Sequence, residues 1–385
     1  MPIRARKPSK RPHLYINSKK ILFSDILANN KIWASPQELL IIDFCRKWLS
    51  GEQNFTLQTS GSTGTPKQIT LTRKQMEASA KATISYLPLN KTQRVLICIS
   101  PEYIGGIMML VRCLVADMLM IVVTPTANPL KDNYLDKIAE INANKWCITF
   151  AAFAPLQLQT ILVETPKKLR ILDEMDAIIV GGASLSLMQE NLFKTITTPV
   201  YHTYGMTETA SHIALRHINP VYKFPINLAE RDYFHVLPNV KIRTDERGCL
   251  VINAESTNFE DVVTNDLVEI LADNKQFKIL GRIDNIINSG GVKIQLEKVE
   301  KNIGDFLSSN DLKQYATKNY YCTGLADNTL GQRLVIVFEG EYLSEEVEKS
   351  LLEYLKIKLG QYEVPKKIIY KTAFERTETG KIIRK

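Results

Sequence analysis

Residues 94–124 read RVLICISPEYIGGIMMLVRCLVADMLMIVVT, and this stretch decides the fold. An apolar run opens it, a helical pattern from Gly105 to Ala116 follows, and a second apolar run closes it. Arg112 and Asp117 interrupt the apolar character, so no run reaches the ~18 residues that a membrane-spanning helix needs. The stretch therefore predicts a buried strand, a helix and a second buried strand.

The same alternation continues downstream. Further strand candidates are WCITF (146–150), AIIVGG (177–182) and VYHTYG (200–205), and helical stretches such as ASLSLMQENLFKTI lie between them. Short apolar strands that alternate with helices are typical of a parallel sheet with helices on both faces. We therefore expect an α/β fold with a doubly wound, mainly parallel sheet in a large N-terminal domain.

The pattern changes after about residue 235. Two hairpins are predicted, in KIRTDERGCLVINA (241–254) and in VEILADNKQFKILGR (268–282), and they indicate a small β subdomain. After Asp284, a strand and a helix are followed by a strand, a strong amphipathic helix and a last strand, which predicts an α+β domain. We expect two domains, 1–283 and 284–385, the second of them small and mobile.

The net charge of the chain is +8, and positive charge is concentrated near the N-terminus. The basic residues of this segment are Arg4, Arg6, Lys7, Lys10 and Arg11. The segment is either a solvated tail or an electrostatic contact. It has no interleaved aromatic side chains for single-strand binding and no apolar stretch for a secretory signal. We expect no nucleic-acid partner.

The spacing of the cysteines and histidines gives little indication of a metal site or a redox motif. The six cysteines are Cys45, Cys98, Cys113, Cys147, Cys249 and Cys322. None forms a CxxC pair and most lie in apolar runs, which predicts buried, reduced thiols in a cytoplasmic protein. The five histidines show no HExxH spacing, so we expect no protein-bound zinc.

The segment TSGSTGTPK (59–67) has the composition of a phosphate-binding loop. Its glycines let backbone N–H groups approach a ligand closely, its hydroxyls donate hydrogen bonds, and its lysine adds a positive charge. The candidate phosphate-binding residues are Thr59, Ser60, Gly61, Ser62, Thr63, Gly64 and Lys67. The segment is not a Walker A motif, because Pro66 stands where that motif has glycine. Taken alone, it reads equally well as an ordinary loop.

Four further motifs follow this loop in order. They are YGMTE (204–208), TND (264–266), GRIDNIINSGGVKIQLEKVE (281–300) and TETGKIIRK (377–385). The whole series resembles the adenylate-forming superfamily of acyl- and aryl-CoA synthetases, luciferases and peptide-synthetase adenylation domains. The resemblance covers about residues 55–385. It implies that the first loop holds the β- and γ-phosphates of ATP, although Gln68 replaces the glycine that usually follows the lysine.

The resemblance also implies roles around the nucleotide. Tyr204 would stack on adenine, Thr207 would contact the α-phosphate and Glu208 would help to hold Mg²⁺, which prefers oxygen ligands. The other wall of the adenine slot would be formed by Gly181, Gly182 and Ala183. Without the resemblance, the first motif is a strand-end turn with an exposed glutamate, and the glycine pair is a turn before a helix.

The later motifs imply ribose and hinge contacts. Asp266 matches an aspartate that binds ribose hydroxyls, although Asn265 departs from the usual TGD pattern. Arg282 matches an arginine that approaches ribose or phosphate, and Asp284 matches the hinge between the domains. By composition alone, each of these residues is a solvated surface charge.

Two further positions concern the chemistry. Gly290 and Gly291 match a loop that lines the pantetheine tunnel for coenzyme A. Lys381 matches the lysine that bridges the carboxylate and the α-phosphate during adenylation, and we take it as catalytic with Thr207 and Glu208. Without the resemblance, Lys381 is one more lysine in a charged tail.

The stretch TYGMTETASHIALRHIN resembles o-succinylbenzoate–CoA ligases of menaquinone biosynthesis, which activate the aliphatic carboxylate of a dicarboxylate. The phosphate loop starts earlier here than in most relatives, so we interpret the chain as N-terminally shortened. Candidate residues of the acyl pocket are Thr149, Phe153, Ser211, His212 and Arg216. Phe153 and His212 could equally be core residues, and Arg216 could lie on the surface.

The expected activity is therefore an ATP- and Mg²⁺-dependent carboxylate–CoA ligase. Its partners would be small molecules, and a homodimer is possible. The alternatives are another aryl- or acyl-CoA ligase or a ligase that charges a carrier protein. A non-catalytic nucleotide-binding protein is the alternative of a different class, and the presence of both Glu208 and Lys381 disfavours it.

Overall fold

The computed structural model describes residues 13–28, 34–58, 68–87, 89–141, 148–219, 231–315, 318–376 and 382–384. The helices of these residues are α1 (Phe23–Leu27), α2 (Pro36–Leu49), α3 (Arg73–Tyr86), α4 (Ile104–Ala116), α5 (Tyr134–Ile141), α6 (Pro155–Glu164), α7 (Leu169–Asp173), α8 (Leu187–Phe193), α9 (Leu296–Leu307) and α10 (Glu345–Lys358). The strands are β1 (His13–Ile16), β2 (Lys19–Leu22), β3 (Asn54–Gln58), β4 (Gln68–Thr72), β5 (Arg94–Ile97), β6 (Leu119–Val122), β7 (Phe150–Phe153), β8 (Ala177–Val180), β9 (Val200–Met206), β10 (Ser211–His217), β11 (Phe234–Val236), β12 (Val240–Thr244), β13 (Cys249–Ala254), β14 (Val262–Ile270), β15 (Gln276–Arg282), β16 (Ile286–Ser289), β17 (Val292–Gln295), β18 (Tyr320–Asp327), β19 (Gly331–Glu339) and β20 (Lys367–Lys371).

The chain divides into two compact units. The first contains residues 1–184, 192–241 and 253–262, and the second contains 185–191, 242–252 and 263–385. Residues 263–283 thus pack with the C-terminal part of the chain, whereas we predicted them in the first domain. A hinge at Asp284 stays a prediction.

A mixed sheet forms the centre of the first unit, in the order β11-β10-β9-β8-β7-β5-β6-β1-β2. The strands from β9 to β1 pair in parallel, and the pairs at both ends are antiparallel. The α/β fold with a mainly parallel sheet is therefore confirmed. Helices α2, α3 and α4 pack on this sheet through one large apolar cluster.

Local sequence signals explain where these helices begin. At the start of α2, the Ser35 hydroxyl accepts from the Glu38 N–H, and the Glu38 carboxylate accepts from the Ser35 N–H. Pro36 lies in the first turn. Thr72 and Gln75 form the same reciprocal cap at the start of α3. These caps satisfy backbone N–H groups that the first helical turn leaves without partners.

The second unit contains the two predicted hairpins and the α+β region. Strands β12, β13, β14 and β15 lie side by side in this order. A separate sheet of five strands has the order β17-β16-β19-β18, with β20 paired to β19. Helices α9 and α10 pack on that separate sheet through a second apolar cluster. The predicted small β subdomain and α+β region are confirmed.

The strand predicted at 146–150 is placed wrongly. The observed strand β7 is Phe150–Phe153, and residues 142–147 lie outside the described part. The apolar run continues through FAAFA, and a run without alternation marks a buried strand without marking its ends.

The five described cysteines are free and buried, as predicted, and Cys147 lies outside the described residues. Burial raises the pKa of Cys45 to about 12. Within the described ranges, no helix is both long enough and apolar enough to span a bilayer. The same ranges hold no group of three His, Cys, Asp or Glu residues placed to bind a metal ion.

Candidate active site

The first site elements meet at one edge of the central sheet. Strands β8 and β9 are parallel neighbours; β8 leads into Gly181–Ala183, and β9 ends with Tyr204–Met206 and leads into Thr207 and Glu208. Ligands of open α/β sheets bind outside the carboxyl ends of the strands. The structure therefore brings the two predicted adenine motifs to the edge where a nucleotide is expected.

Gly181 has to be glycine for a steric reason. A Cβ atom at this position would lie 1.8 Å from the Thr203 Oγ1 atom. Glycine therefore lets the backbone after β8 pack directly against Thr203 of β9. Tyr204 is half-buried, and its ring makes an edge contact with Phe234 at 5.8 Å.

A buried histidine fixes the Gly181–Ala183 segment. Arg216 Nη2 lies 3.4 Å from His202 Nδ1, and His202 Nε2 lies 3.2 Å from the Ala183 carbonyl oxygen. Burial, reinforced by Arg216, lowers the pKa of His202 to about 3, so its ring is neutral. Because arginine can only donate, Nδ1 accepts and Nε2–H donates to Ala183.

A tight turn carries the candidate magnesium ligand. Thr207–Thr209 form one 3-10 turn in which Thr207 is buried and Glu208 is exposed. The next two residues adopt positive φ, +51° at Ala210 and +99° at Ser211. Such backbone conformations persist only where the surroundings hold them, and they cluster at functional sites.

Two hydroxyl groups hold this turn. Thr209 Oγ1 donates to the Ser211 carbonyl at 2.6 Å and accepts from the Met206 N–H at 3.1 Å. Ser79 of α3 donates to the Ala210 carbonyl at 2.7 Å. The Glu208 carboxylate therefore projects from a rigid turn, which suits a ligand that must hold Mg²⁺ beside phosphates.

Arg112 is the functional candidate that the sequence prediction missed. The side chain lies on α4 and is only 1% exposed. Its Nη2 atom is 3.3 Å from Ser211 Oγ and 3.3 Å from His212 Nδ1, and its Nε atom has no hydrogen-bond partner. Among the residues that the structure describes, no carboxylate pairs with it. Burial lowers the pKa of Arg112 to about 10, so the guanidinium is charged at neutral pH.

His212 and Arg216 are both buried. His212 Nε2 is 2.9 Å from the hydroxyl of Thr83, and burial together with Arg112 lowers the pKa of His212 well below its usual value. Arg216 is 9% exposed and lies 5.6 Å above the Phe234 ring, so a surface position is wrong for it.

Thr149 and Phe153 do not have the surroundings predicted for pocket residues. Thr149 precedes β7, at the edge opposite to Gly181, and its hydroxyl accepts from the Arg94 N–H at 2.9 Å. Phe153 is fully buried, as in the core alternative. We therefore leave Thr149 out of the proposed pocket.

In the second unit, Arg282 joins two predicted site residues. Its Nη1 atom is 3.1 Å from Asp266 Oδ1, and its Nη2 atom is 2.6 Å from Asp284 Oδ2. Asn265, the departure from TGD, accepts a hydrogen bond from Arg247 Nη1 at 3.2 Å. The predicted ribose and hinge residues therefore form one charged cluster, with Arg247 beside it.

The predicted coenzyme A glycines form a hairpin turn. Gly290 and Gly291 connect β16 to β17 and have φ of +60° and +86°. Two successive positive φ values are typical of a two-residue hairpin turn that favours glycine. Gly291 is exposed, and a Cβ atom there would meet no atom within 4 Å.

Two predicted segments lie outside the described residues. They are the phosphate loop at 59–67 and the segment 377–381 that contains Lys381. Strands β3 and β4 flank the first and pair up to Gln58 and Gln68. The second is flanked by an antiparallel bridge between Arg376 and Ile382. The roles of both segments stay predictions.

The comparisons with known proteins concern the family and the fold of the chain. A family model described as AMP-binding enzyme matches residues 5–251. A 2-succinylbenzoate–CoA ligase of Bacillus mycoides (strain KBAB4) is 26% identical over 368 residues, which are 89% of this chain and 71% of that protein.

Solved structures give the same picture. An acyl-CoA synthetase (AMP-forming)/AMP-acid ligase II-like protein from Dyadobacter fermentans DSM 18053 is 37% identical with a TM-score of 0.59, covering 93% of this chain and 95% of that one. The o-succinylbenzoate coenzyme A synthetase of Bacillus subtilis, in complex with ATP and magnesium ion, has a TM-score of 0.66 at 21% identity, over 86% and 68% of the two chains. The second likeness is one of fold alone. Together with the match to more than half of its length, these findings place the chain in the AMP-binding enzyme family.

Proposed function

We propose that the chain is an ATP-dependent o-succinylbenzoate–CoA ligase. The family assignment supports the coarser activity, an AMP-forming acid–thiol ligase. The names of similar proteins, which include 2-succinylbenzoate–CoA ligases at 24–28% identity, support the finer one. The observation that carries the proposal is the buried guanidinium of Arg112, with which no carboxylate of the described residues pairs.

An unpaired buried charge is expensive. A charged group that leaves water without a partner costs several kcal/mol, roughly, so proteins pair such groups or let a ligand pair them. Among the described residues, the side-chain partners of Arg112 are neutral, since the Ser211 hydroxyl and the neutral His212 ring accept from it. A carboxylate on the substrate would complete the site.

This requirement favours a dicarboxylate. One carboxylate of o-succinylbenzoate reacts, and the ring carboxylate stays ionised near pH 7. We assign the ring carboxylate to Arg112, with Ser211 and His212 beside it. A fatty acid or benzoate offers no second carboxylate and would leave the guanidinium unpaired.

The chemistry needs no protein nucleophile. The substrate carboxylate attacks the α-phosphate of ATP, a new O–P bond forms, and pyrophosphate leaves. The thiol of coenzyme A then attacks the acyl carbon, the thioester forms, and AMP leaves. Lys67 and Lys381 would stabilise the growing negative charge, and Glu208 would hold the Mg²⁺ that neutralises the phosphates.

The protein atoms at the sheet edge fit the nucleotide. The backbone at Gly182 is open, since a Cβ atom there would meet no atom within 4 Å, Tyr204 offers an aromatic face, and Glu208 is an exposed carboxylate. Mg²⁺ is usually held by one or two carboxylates together with substrate phosphates, so one such ligand is sufficient.

Mass spectrometry of the coenzyme A product tests the proposal. The protein receives ATP, Mg²⁺, coenzyme A and one carboxylate from a panel of o-succinylbenzoate, benzoate, medium-chain fatty acids and 3-benzoylpropionate. The last compound is o-succinylbenzoate without the ring carboxylate, and it is the matched control. We expect succinylbenzoyl-CoA well above every other product.

Three other outcomes are informative. AMP release with a different acyl-CoA product would keep the ligase activity and overturn the dicarboxylate substrate. Equal use of o-succinylbenzoate and 3-benzoylpropionate would overturn the assignment of Arg112. The absence of AMP release with every acid would contradict a coenzyme A ligase altogether.

A further inference from the structure

A chain of three fully buried side chains connects α3 to the guanidinium of Arg112. Arg112 Nη2 is 3.3 Å from His212 Nδ1, and His212 Nε2 is 2.9 Å from the Thr83 hydroxyl. The Thr83 hydroxyl is in turn 3.3 Å from the Ser79 carbonyl oxygen. Thr83 is 0%, Arg112 1% and His212 5% exposed, so this chain of hydrogen bonds lies inside the protein.

The direction of every hydrogen bond in this chain is determined. Arginine has no acceptor, so His212 Nδ1 must accept from Arg112. The ring is neutral, because burial lowers its pKa well below the usual value, and its single proton therefore sits on Nε2. Nε2–H donates to Thr83, and the Thr83 hydroxyl donates to the Ser79 carbonyl.

The other tautomer of His212 would disrupt the site. With its proton on Nδ1, the ring would present a donor to a guanidinium that also donates, and the two groups would repel each other. Thr83 prevents this state, because its hydroxyl is already committed as a donor to Ser79 and offers Nε2 only an acceptor.

We propose that Thr83 is a specificity-determining positioning residue, which holds Arg112 in place for the second carboxylate of the substrate by fixing the tautomer of His212. Thr83 does not touch the substrate and acts through the other two side chains. This inference rests on the proposed function, since it concerns how a dicarboxylate is distinguished from a monocarboxylate.

The same helix also holds the neighbouring turn. Ser79 donates to the Ala210 carbonyl at 2.7 Å, one helical turn before Thr83. Ala210 and Ser211 have positive φ, and the Ser211 hydroxyl accepts the second hydrogen bond from Arg112. One face of α3 therefore fixes both neutral partners of the guanidinium.

The test compares Thr83→Val with Thr83→Ser. Valine keeps the shape of threonine and removes the acceptor, whereas serine keeps the hydroxyl group. We expect Thr83→Val to raise the KM for o-succinylbenzoate about 10-fold, the usual effect of a buried donor left unpaired, with kcat little changed. The KM for 3-benzoylpropionate should stay within about two-fold, and Thr83→Ser should resemble the wild type.

A matched control separates positioning from stability. Thr198 is also buried, and its hydroxyl donates to the Leu172 carbonyl at 2.7 Å; it lies two residues before β9, at the other end of that strand from Tyr204. Thr198→Val should lower the unfolding midpoint without changing the ratio of the two KM values. A ratio that changes equally in both valine variants would overturn the proposal.

The tautomer itself is observable. Nitrogen-15 NMR of the histidine rings should show His212 protonated at Nε2 in the wild type and shifted towards Nδ1 in Thr83→Val. An unchanged ring signal and an unchanged KM ratio in a folded Thr83→Val protein would overturn the role of Thr83. A wild type that does not prefer the dicarboxylate would instead overturn the proposed substrate, which is a different result.

Discussion

At the scale of single residues, we expect Arg112 to be needed for activity without adding to the stability of the protein. Its guanidinium is buried and charged, and no carboxylate in the described part of the chain pairs with it, so an apolar residue in its place should leave the protein without substrate no less stable. For Arg112→Met we expect kcat/KM for o-succinylbenzoate to fall about 10²-fold, because a buried charge pair with the substrate is lost. Denaturant unfolding of the same variant should give an unchanged or higher free energy of unfolding.

The control for this prediction is Arg112→Lys. Lysine keeps the charge and loses the planar fork that contacts Ser211 and His212 together, so its activity should lie between the other two proteins. A methionine variant that is less stable and equally impaired with 3-benzoylpropionate would show that Arg112 serves packing alone.

The sequence showed Arg112 without revealing its role. A single cation in a long apolar run was visible, but its contacts Ser211 and His212 lie 99 and 100 residues away along the chain. The motif residues Gly181, Tyr204 and Glu208 could be named as candidates, because a resemblance carries them by local spacing, and their roles stay predictions. Burial excluded a surface position for Arg216, and no local pattern contains that information.

At the scale of elements, helix α4 lies very close to the end of β5. A Cβ atom at Gly106 would lie 2.2 Å from the Ser100 carbonyl oxygen and 2.6 Å from that of Ile99. Both are backbone atoms, which cannot move aside. Gly106→Ala should therefore destabilise the protein by about 1–3 kcal/mol and weaken binding of the dicarboxylate, because α4 carries Arg112.

The neighbouring glycine is a matched control for this prediction. A Cβ atom at Gly105 would meet only the Ile99 side chain at 3.8 Å, which is an ordinary contact. Because alanine is the better helix former, Gly105→Ala should be neutral or stabilising by up to about 1 kcal/mol. Thermal unfolding of both variants is the measurement, and equal midpoints would contradict the close approach.

Strand β10 was not predicted, and the reason is physical. Its sequence SHIALRH places polar side chains at His212 and Arg216, where an exposed face would be expected, yet six of its seven residues are buried. Their partners come from α3, α4 and β9, so the polar groups are satisfied inside the protein. A buried strand with internally paired polar residues does not have the alternation that sequence analysis detects.

At the scale of the whole molecule, one carboxylate links pH to the stability of the second unit. Glu300 accepts from the Cys322 N–H at 2.7 Å and pairs with Arg384 at 2.9 Å, yet burial raises its pKa to about 7. The folded state thus binds this proton more tightly than the unfolded state. The resulting stability is present below about pH 4.5 and is lost as the pH rises through about 7.

Glu300→Gln tests this sign. Glutamine cannot titrate, so the free energy of unfolding of the wild type minus that of the variant should fall from about pH 5 to about pH 7, by at most about 1.4 kcal/mol per pH unit. The subtraction removes the contributions of His202, His212 and His217, whose lowered pKa values act with the opposite sign. A difference that is flat or that rises with pH would contradict the raised pKa.

Adenylation and thioester formation should depend on different residues, Lys381 and Gly291, which lie far apart along the sequence. Lys381→Ala should abolish adenylation, measured as exchange of pyrophosphate into ATP, and should spare thioester formation from supplied acyl-adenylate. Gly291→Leu should do the reverse, because its bulk would narrow the proposed path of coenzyme A. Gly291→Ala carries the same positive-φ strain with little bulk, so its thioester rate should stay near that of the wild type. Equal loss of both half-reactions in either Lys381→Ala or Gly291→Leu would mean that one fixed arrangement of the molecule serves both steps, and the proposed hinge at Asp284 would then have no task.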